Sequence, residues 1–133
     1  MSRQTIYLGR LIGLFLLIAA LSMFLDKESI VEMATALIDD RALLLIVGLI
    51  ALGIGLAIVV GHNVWTAGLF PLVITLFGWS QLLRGLALLL LPAETQIAFF
   101  QVMRLEDFFY VYAGIPLVIG AYLTYAGFTS PYR

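Results

Sequence analysis

Residues 42–60 read ALLLIVGLIALGIGLAIVV and carry no ionisable side chain. A helix rises about 1.5 Å per residue and the hydrocarbon core of a bilayer is about 30 Å thick, so this stretch is one membrane thickness long. Working outward from it, three further stretches meet the same criterion: 5–25, 71–91 and 108–128. The first is interrupted only by Arg10, near enough to the membrane surface for its stem to carry the guanidinium to water. The third is taken to begin at Pro71, because proline is favoured in the first turn of a helix, and to end before Pro92. The fourth contains Pro116, whose missing N–H predicts a kink.

The composition of the whole chain agrees. Of its 133 residues 63% are hydrophobic and 11% charged, against about 25% charged in an ordinary soluble domain. Mean hydropathy is +1.11. A water-soluble globule and a disordered coil are both excluded. Net charge is −1, which offers no field to hold phosphates, so nucleic acid is not an expected partner. With no cysteine and one histidine, disulfides, thiol chemistry and an intrachain metal or haem site are not expected, and no cofactor is assigned.

Two connecting stretches are too polar to span and too patterned to be loose. In 27–39, Ile30, Val31, Ala34, Leu37 and Ile38 recur at helical spacing while Glu28, Glu32, Thr35 and Asp39 take the other face. This is the pattern of a helix lying in the interface. Residues 93–104 form a second candidate, with Ile97, Phe99 and Phe100 among Glu94, Gln96, Gln101 and Arg104. The expected fold is therefore a single all-α integral membrane domain over residues 1–133: four transmembrane helices with one or two interfacial amphipathic helices. Sliding the second half onto the first by about 66 residues sets Glu94 on Glu28 and Gly114 on Gly48, which suggests two parallel helix-hairpin repeats.

Four spans put both termini on one side. That side holds Arg3, Arg10 and Arg133 and no acid, whereas Asp26, Glu28, Glu32, Asp39, Asp40, Glu94, Glu106 and Asp107 lie opposite with Lys27, Arg41 and Arg104. Basic counts are equal, so the wholly basic character of the termini selects termini inside. Ala20-Leu21-Ser22 loosely resembles a signal-peptide cleavage site, but the first segment is read as a retained span.

Arg84 is the residue most in need of a partner, lying about 10 Å below the nearer surface. It either contacts an anion or a proton path together with Gln81, or pairs with Asp107 or Glu106 at the start of the fourth span; the pairing is favoured. In the link, His62 and Asn63 could hold a ligand, yet Gly61 as a cap, Asn63 as a turn and Trp65 as an interfacial anchor account for the same residues more simply. Small residues are abundant: Gly9-x-x-x-Gly13 in the first span, and Gly53-x-x-x-Ala57-x-x-x-Gly61 with Gly48 and Ala51-x-x-x-Gly55 in the second. Such spacings serve helix packing inside a bundle or an oligomer seam. In the third span Thr75, Gly78, Gln81 and Gly85 form one mildly polar stripe bordered by Trp79. Tyr110, Tyr112, Tyr122, Tyr125 and Tyr132 match aromatic belts.

The stretches GHNVW at 61–65 and ITLFGWSQLLRG at 74–85, with GAYLTYAGF at 120–128, resemble a widespread group of small bacterial four-span integral membrane proteins of unassigned function. The resemblance implies that His62, Asn63, Trp65, Gly78, Trp79, Arg84 and Gly85 are typical positions of that group, and a bacterial inner membrane as location. In layout alone the chain is also similar to DoxX-like membrane proteins, which have a surface helix after the first span. The leading expectation is a non-enzymatic protein acting through assembly, as a homo-oligomer or an accessory subunit of a larger membrane complex. A small transporter or channel using Gln81 and Arg84 is the alternative, and a lipid- or quinone-linked enzyme the least supported.

Overall fold

The computed structural model describes residues 2–130, which are helical apart from short turns and one link. Helices α1 (Arg3–Leu25), α3 (Arg41–Gly61), α4 (Leu69–Leu90) and α6 (Phe109–Thr129) are long and apolar enough to cross a membrane, and α2 (Lys27–Ile38) and α5 (Ala93–Met103) are shorter helices between them. The chain is a multi-pass, all-α membrane protein. Tyr132 and Arg133, assigned above to an aromatic belt and the basic end, lie outside the described residues.

Local chemistry sets the helix limits. Ser2, Asp26 and Asp40 each accept a backbone N–H from the first turn that follows, at Thr5, Ser29, and Ala42 with Leu43. These oxygens satisfy donors that a helix start leaves without intrahelical acceptors. Helix α4 begins at Leu69 rather than at Pro71. The turn is made by Gly68 at φ 116°, a backbone conformation open to glycine, so Pro71 falls within the first turn, where its missing N–H is not needed. Helix α5 ends where Arg104 turns into the left-handed region at φ 49°. Pro116 stands inside α6 without interrupting it.

The spans are arranged as two antiparallel pairs, α1 along α6 and α3 along α4, joined by a narrow crossing of α1 over α4. Both pairs close on glycines seven residues apart. In one, Gly48 and Gly55 of α3 face Gly78 and Gly85 of α4: a Cβ on Gly55 would lie 2.6 Å from Leu82 Cα, and one on Gly85 2.7 Å from Leu52 Cα. In the other, a Cβ on Gly13 would lie 2.6 Å from Thr124 N, and one on Gly120 2.7 Å from Leu17 N. Seven residues are two turns at 3.5 per turn, the repeat of left-handed helix pairs crossing at about 20°. Backbones thus meet where apolar side chains would hold them apart, and dispersion at close range replaces the hydrophobic drive that lipid cannot supply.

The buried positions reveal the internal repeat more sharply than residue identity does. Leu44, Gly48, Gly55 and Ile58 of α3 fall on Phe109, Ala113, Gly120 and Leu123 of α6, each 65 positions later. Ile6, Gly13 and Ala20 of α1 fall on Pro71, Gly78 and Gly85 of α4 by the same shift. The register is 65 rather than 66, and the match of Gly114 to Gly48 dissolves: nothing lies within 4 Å of a Cβ on Gly114. Each half therefore contributes its first span to one pair and its second to the other. The halves interlock, and neither holds a complete seam of its own.

Candidate functional site

The best-built polar site lies where the two pairs cross. His62, the first residue after α3, is 4% exposed, and Thr5 of α1 and Thr75 of α4 are buried beside it. Thr5 Oγ1 is 3.1 Å from His62 Nε2, and Thr75 Oγ1 is 3.3 Å from His62 Nδ1. The Thr75 hydroxyl donates to the carbonyl of Val64 (2.9 Å) or of Pro71 (3.0 Å), and its oxygen accepts the Val64 N–H at 3.0 Å. With that single hydroxyl proton committed, the His62–Thr75 bond needs the imidazole proton on Nδ1, which leaves Nε2 to accept from Thr5. Ser2 Oγ, 2.9 Å from Thr5 Oγ1, completes a directed chain from Ser2 through Thr5, His62 and Thr75 to the link backbone. Burial pushes the His62 pKa below its usual value, so the imidazole is held neutral.

The rest of the link is tied down from outside this chain of bonds. Asn63 Oδ1 accepts from the indole N–H of Trp65 at 2.7 Å and of Trp79 at 3.3 Å. Gln4 donates to the Gly61 carbonyl at 2.8 Å. Below, Ile12, Ile58, Phe70, Ile74 and Leu123 form an apolar core drawn from all four spans, with Gly9 of α1 against the Phe70 ring. The residues 61–65 are therefore a clasp between helix pairs. Its chemistry is that of a neutral hydrogen-bond chain, buried at Thr5, His62 and Thr75 and reaching the surface at the exposed Ser2. Thr5, Ser2 and Gln4 were not among the sequence candidates, because a hydroxyl or amide at a helix start gives no signal of what faces it across the bundle.

The other sequence candidates are dispersed. Arg10 donates through Nε to the Gly127 carbonyl at 2.8 Å and through Nη2 to that of Ser130 at 3.3 Å, and stacks on Phe128; it thereby closes carbonyls at the end of α6. Asp107 does not receive Arg84. Its carboxylate is bonded to Arg104 at 2.9 Å, three residues away in the same turn, and Arg84 stands exposed on α4 with no hydrogen bond or ion pair among the described residues. Gln81 is half-buried, likewise without a side-chain bond among them. The stripe to which Gln81 belongs is a packed seam: Thr75 is committed to the clasp, Gly78 abuts Ile58 and Gly85 abuts Leu52. The small residues of α3 divide by face. Gly48, Ala51 and Gly55 are buried toward α4, whereas Gly53 and Ala57 are exposed and nothing lies within 4 Å of a Cβ on Gly53. Gly61 ends the helix beside Gln4.

Among the described residues no three His, Asp or Glu side chains gather where they could hold a metal ion. Fold and site together define a four-span membrane protein built as two interlocked helix pairs clasped by a buried histidine. No family profile, curated protein or solved structure matches this chain.

Proposed function

We propose that the protein acts by assembly in the membrane, as a homo-oligomer or as a small subunit packed against a larger membrane complex, with the outer face of α3 as its seam. The observation that carries this reading is the placement of Gly53 and Ala57. At about 100° per residue both lie roughly 160° from Gly55, on the side of α3 turned away from α4. The small-residue spacing that lets two backbones approach is thus present twice on one helix and is occupied within the chain only once. Arg84 adds to the reading, since an exposed guanidinium inside a span is more stable beside a neighbour's acceptor than beside acyl chains.

The location that fits is a bacterial inner membrane with both termini in the cytoplasm. The end of the bundle bearing the termini carries Arg3 and Arg10 and no carboxylate among the described residues.

Native mass spectra of gently extracted protein test the proposal. Particles at multiples of about 14.7 kDa, or in fixed ratio with other subunits, are expected. Gly53→Leu is expected to return the protein to single chains that still fold, because its side chain meets nothing within its own chain. A wild type that is monomeric in a native-lipid nanodisc, or a Gly53→Leu variant that assembles as before, removes the seam.

A further inference from the structure

The two helix pairs are fastened to each other differently from the way each is fastened within itself. Inside a pair, glycines two turns apart bring backbone against backbone. Between the pairs the joint is a narrow crossing of α1 and α4, where Gly9 meets the Phe70 ring and Phe70 meets Tyr122 edge-on at 6.4 Å between ring centres. The apolar part of that joint, Ile12, Ile58, Phe70, Ile74 and Leu123, is weakly held in a bilayer, because acyl chains replace its contacts as the pairs part. Acyl chains cannot replace the two hydrogen bonds that run from pair to pair: Thr5 to His62, which is buried, and Gln4 to the Gly61 carbonyl, which is exposed. Water can replace the second, so the first is the directional fastening of the joint.

Thr5 gives its hydroxyl proton to Nε2, the nitrogen left free by a neutral imidazole whose proton is on Nδ1. A second proton, taken from water, goes to this nitrogen and sets a donor against a donor. The Thr5 hydroxyl can turn to accept, but the charge then stands on a residue that is 4% exposed. Nothing around the ring offsets that charge. Ser2 and Thr5 of α1 and Thr75 of α4 offer hydroxyls, the link offers the Val64 backbone, and α6 brings the apolar Leu123 to the joint. The other charged or titratable side chains toward this end are Arg3, Tyr7 and Arg10 of α1 and Tyr122 and Tyr125 of α6, with no carboxylate among the described residues. The two cations among them oppose an imidazolium.

We propose that His62 is an acid-released latch: when it takes up a second proton, the α1/α6 pair parts from the α3/α4 pair at the clasp, the imidazolium reaches water, and each pair keeps its own glycine seam. The exposed Ser2, two hydrogen bonds from the ring, shows how short the path to that water is.

Hydrogen exchange in lipid nanodiscs, corrected for the intrinsic pH dependence of amide exchange, reads the open fraction at single residues. A hydrated imidazole takes up its proton at about 6.5, so the open fraction is expected to rise about tenfold between pH 7.5 and 5.5. The amides of His62 and Val64, bonded in the closed clasp to the Ile58 carbonyl and the Thr75 hydroxyl, should lose protection by that factor. His62→Gln keeps an acceptor for Thr5 and a donor for Thr75 without a titrating group, and its protection is expected to be flat with pH. Gly48→Ala separates release of the latch from unfolding of the molecule: its Cβ meets Leu88 Cβ at 2.9 Å, far from the clasp, so it weakens the α3/α4 seam alone. Its link amides are expected to exchange as in the wild type although its unfolding midpoint falls. Thr5→Val retains the ring and removes the bond between pairs, and is expected to expose the link already at pH 7.5. Wild-type protection that is flat with pH, link exchange in Gly48→Ala that accelerates in step with its lost stability, or a fully protected link in Thr5→Val overturns the proposal.

Discussion

Gly55→Leu is expected to prevent α3 and α4 from closing. A Cβ at that position lies 2.6 Å from Leu82 Cα, and the obstacle is backbone, which cannot swing aside as a side chain can. Overpacking a tight interior site costs about 1–3 kcal/mol where neighbours can yield, and more where they cannot. We therefore expect a loss of at least about 3 kcal/mol, read as a large fall in unfolding midpoint in mild detergent or as failure to accumulate. Gly85→Leu faces the same obstacle at Leu52 from the other helix and should match it. Gly114→Leu is the internal control, with nothing within 4 Å of its Cβ, and should unfold as the wild type does. Equal midpoints for Gly55→Leu and Gly114→Leu would mean that α3 and α4 do not meet along this face.

His62→Phe should be the second large change, and its signature is a pH dependence that disappears. The ring preserves most of the volume but takes away the acceptor of the Thr5 hydroxyl proton and the donor to one Thr75 lone pair, leaving Thr5 only its Ser2 contact, at about 1–3 kcal/mol for buried groups. In the wild type the folded imidazole resists protonation, whereas in the unfolded chain it titrates near 6.5. Below that value the unfolded state binds more protons, so stability present at neutral pH is lost as pH falls through about 6.5 toward the lower folded value. No carboxylate stands at this end among the described residues to stabilise an imidazolium. Asp26, lowered by its bonds to Ser29, loses its contribution only as pH falls below 3.8, so the two titrations are separate. Unfolding midpoints at pH 7.5 and 5.5 should diverge in the wild type and coincide in His62→Phe; a wild type flat across that interval would show that His62 is hydrated.

The four spans and the inner face of α2 were legible because both rest on hydropathy alone. Ile30, Val31, Ala34, Leu37 and Ile38 are, with Lys27, the half-buried positions of α2, and Glu28, Glu32, Thr35 and Asp39 opposite them are exposed. Helix α5 was harder to read since Gln96 sits on its inner face while Phe99 and Val102 point outward, against the expected pattern. Which spans pair was not legible from four-residue ladders, because those mark an open face of α3 as readily as a closed one. The signal lay in the sevenfold spacing of Gly48 with Gly55, Gly78 with Gly85 and Gly120 with Gly127. The His62 clasp needs Thr5 and Thr75, 57 and 13 residues away along the chain, and no local pattern connects them. The Arg84 pairing failed for a related reason: Arg104 reaches Asp107 within one turn, and a neighbour on the same turn forestalls a partner on another helix.

The interlocking of the halves also sets an order of events at the ribosome. Helices α3 and α4 are consecutive spans and can close as soon as both have left the translocon. Helix α1 emerges before this pair and its companion α6 after it, and the carbonyls of Gly127 and Ser130 that receive Arg10 lie 117 and 120 residues downstream of it. Until α6 arrives the seam around Gly13 therefore lacks the helix of its own chain that closes it. A nascent chain cut short anywhere before α6 displays that open seam, which gives membrane quality control a simple mark by which to tell it from a chain whose two pairs have closed.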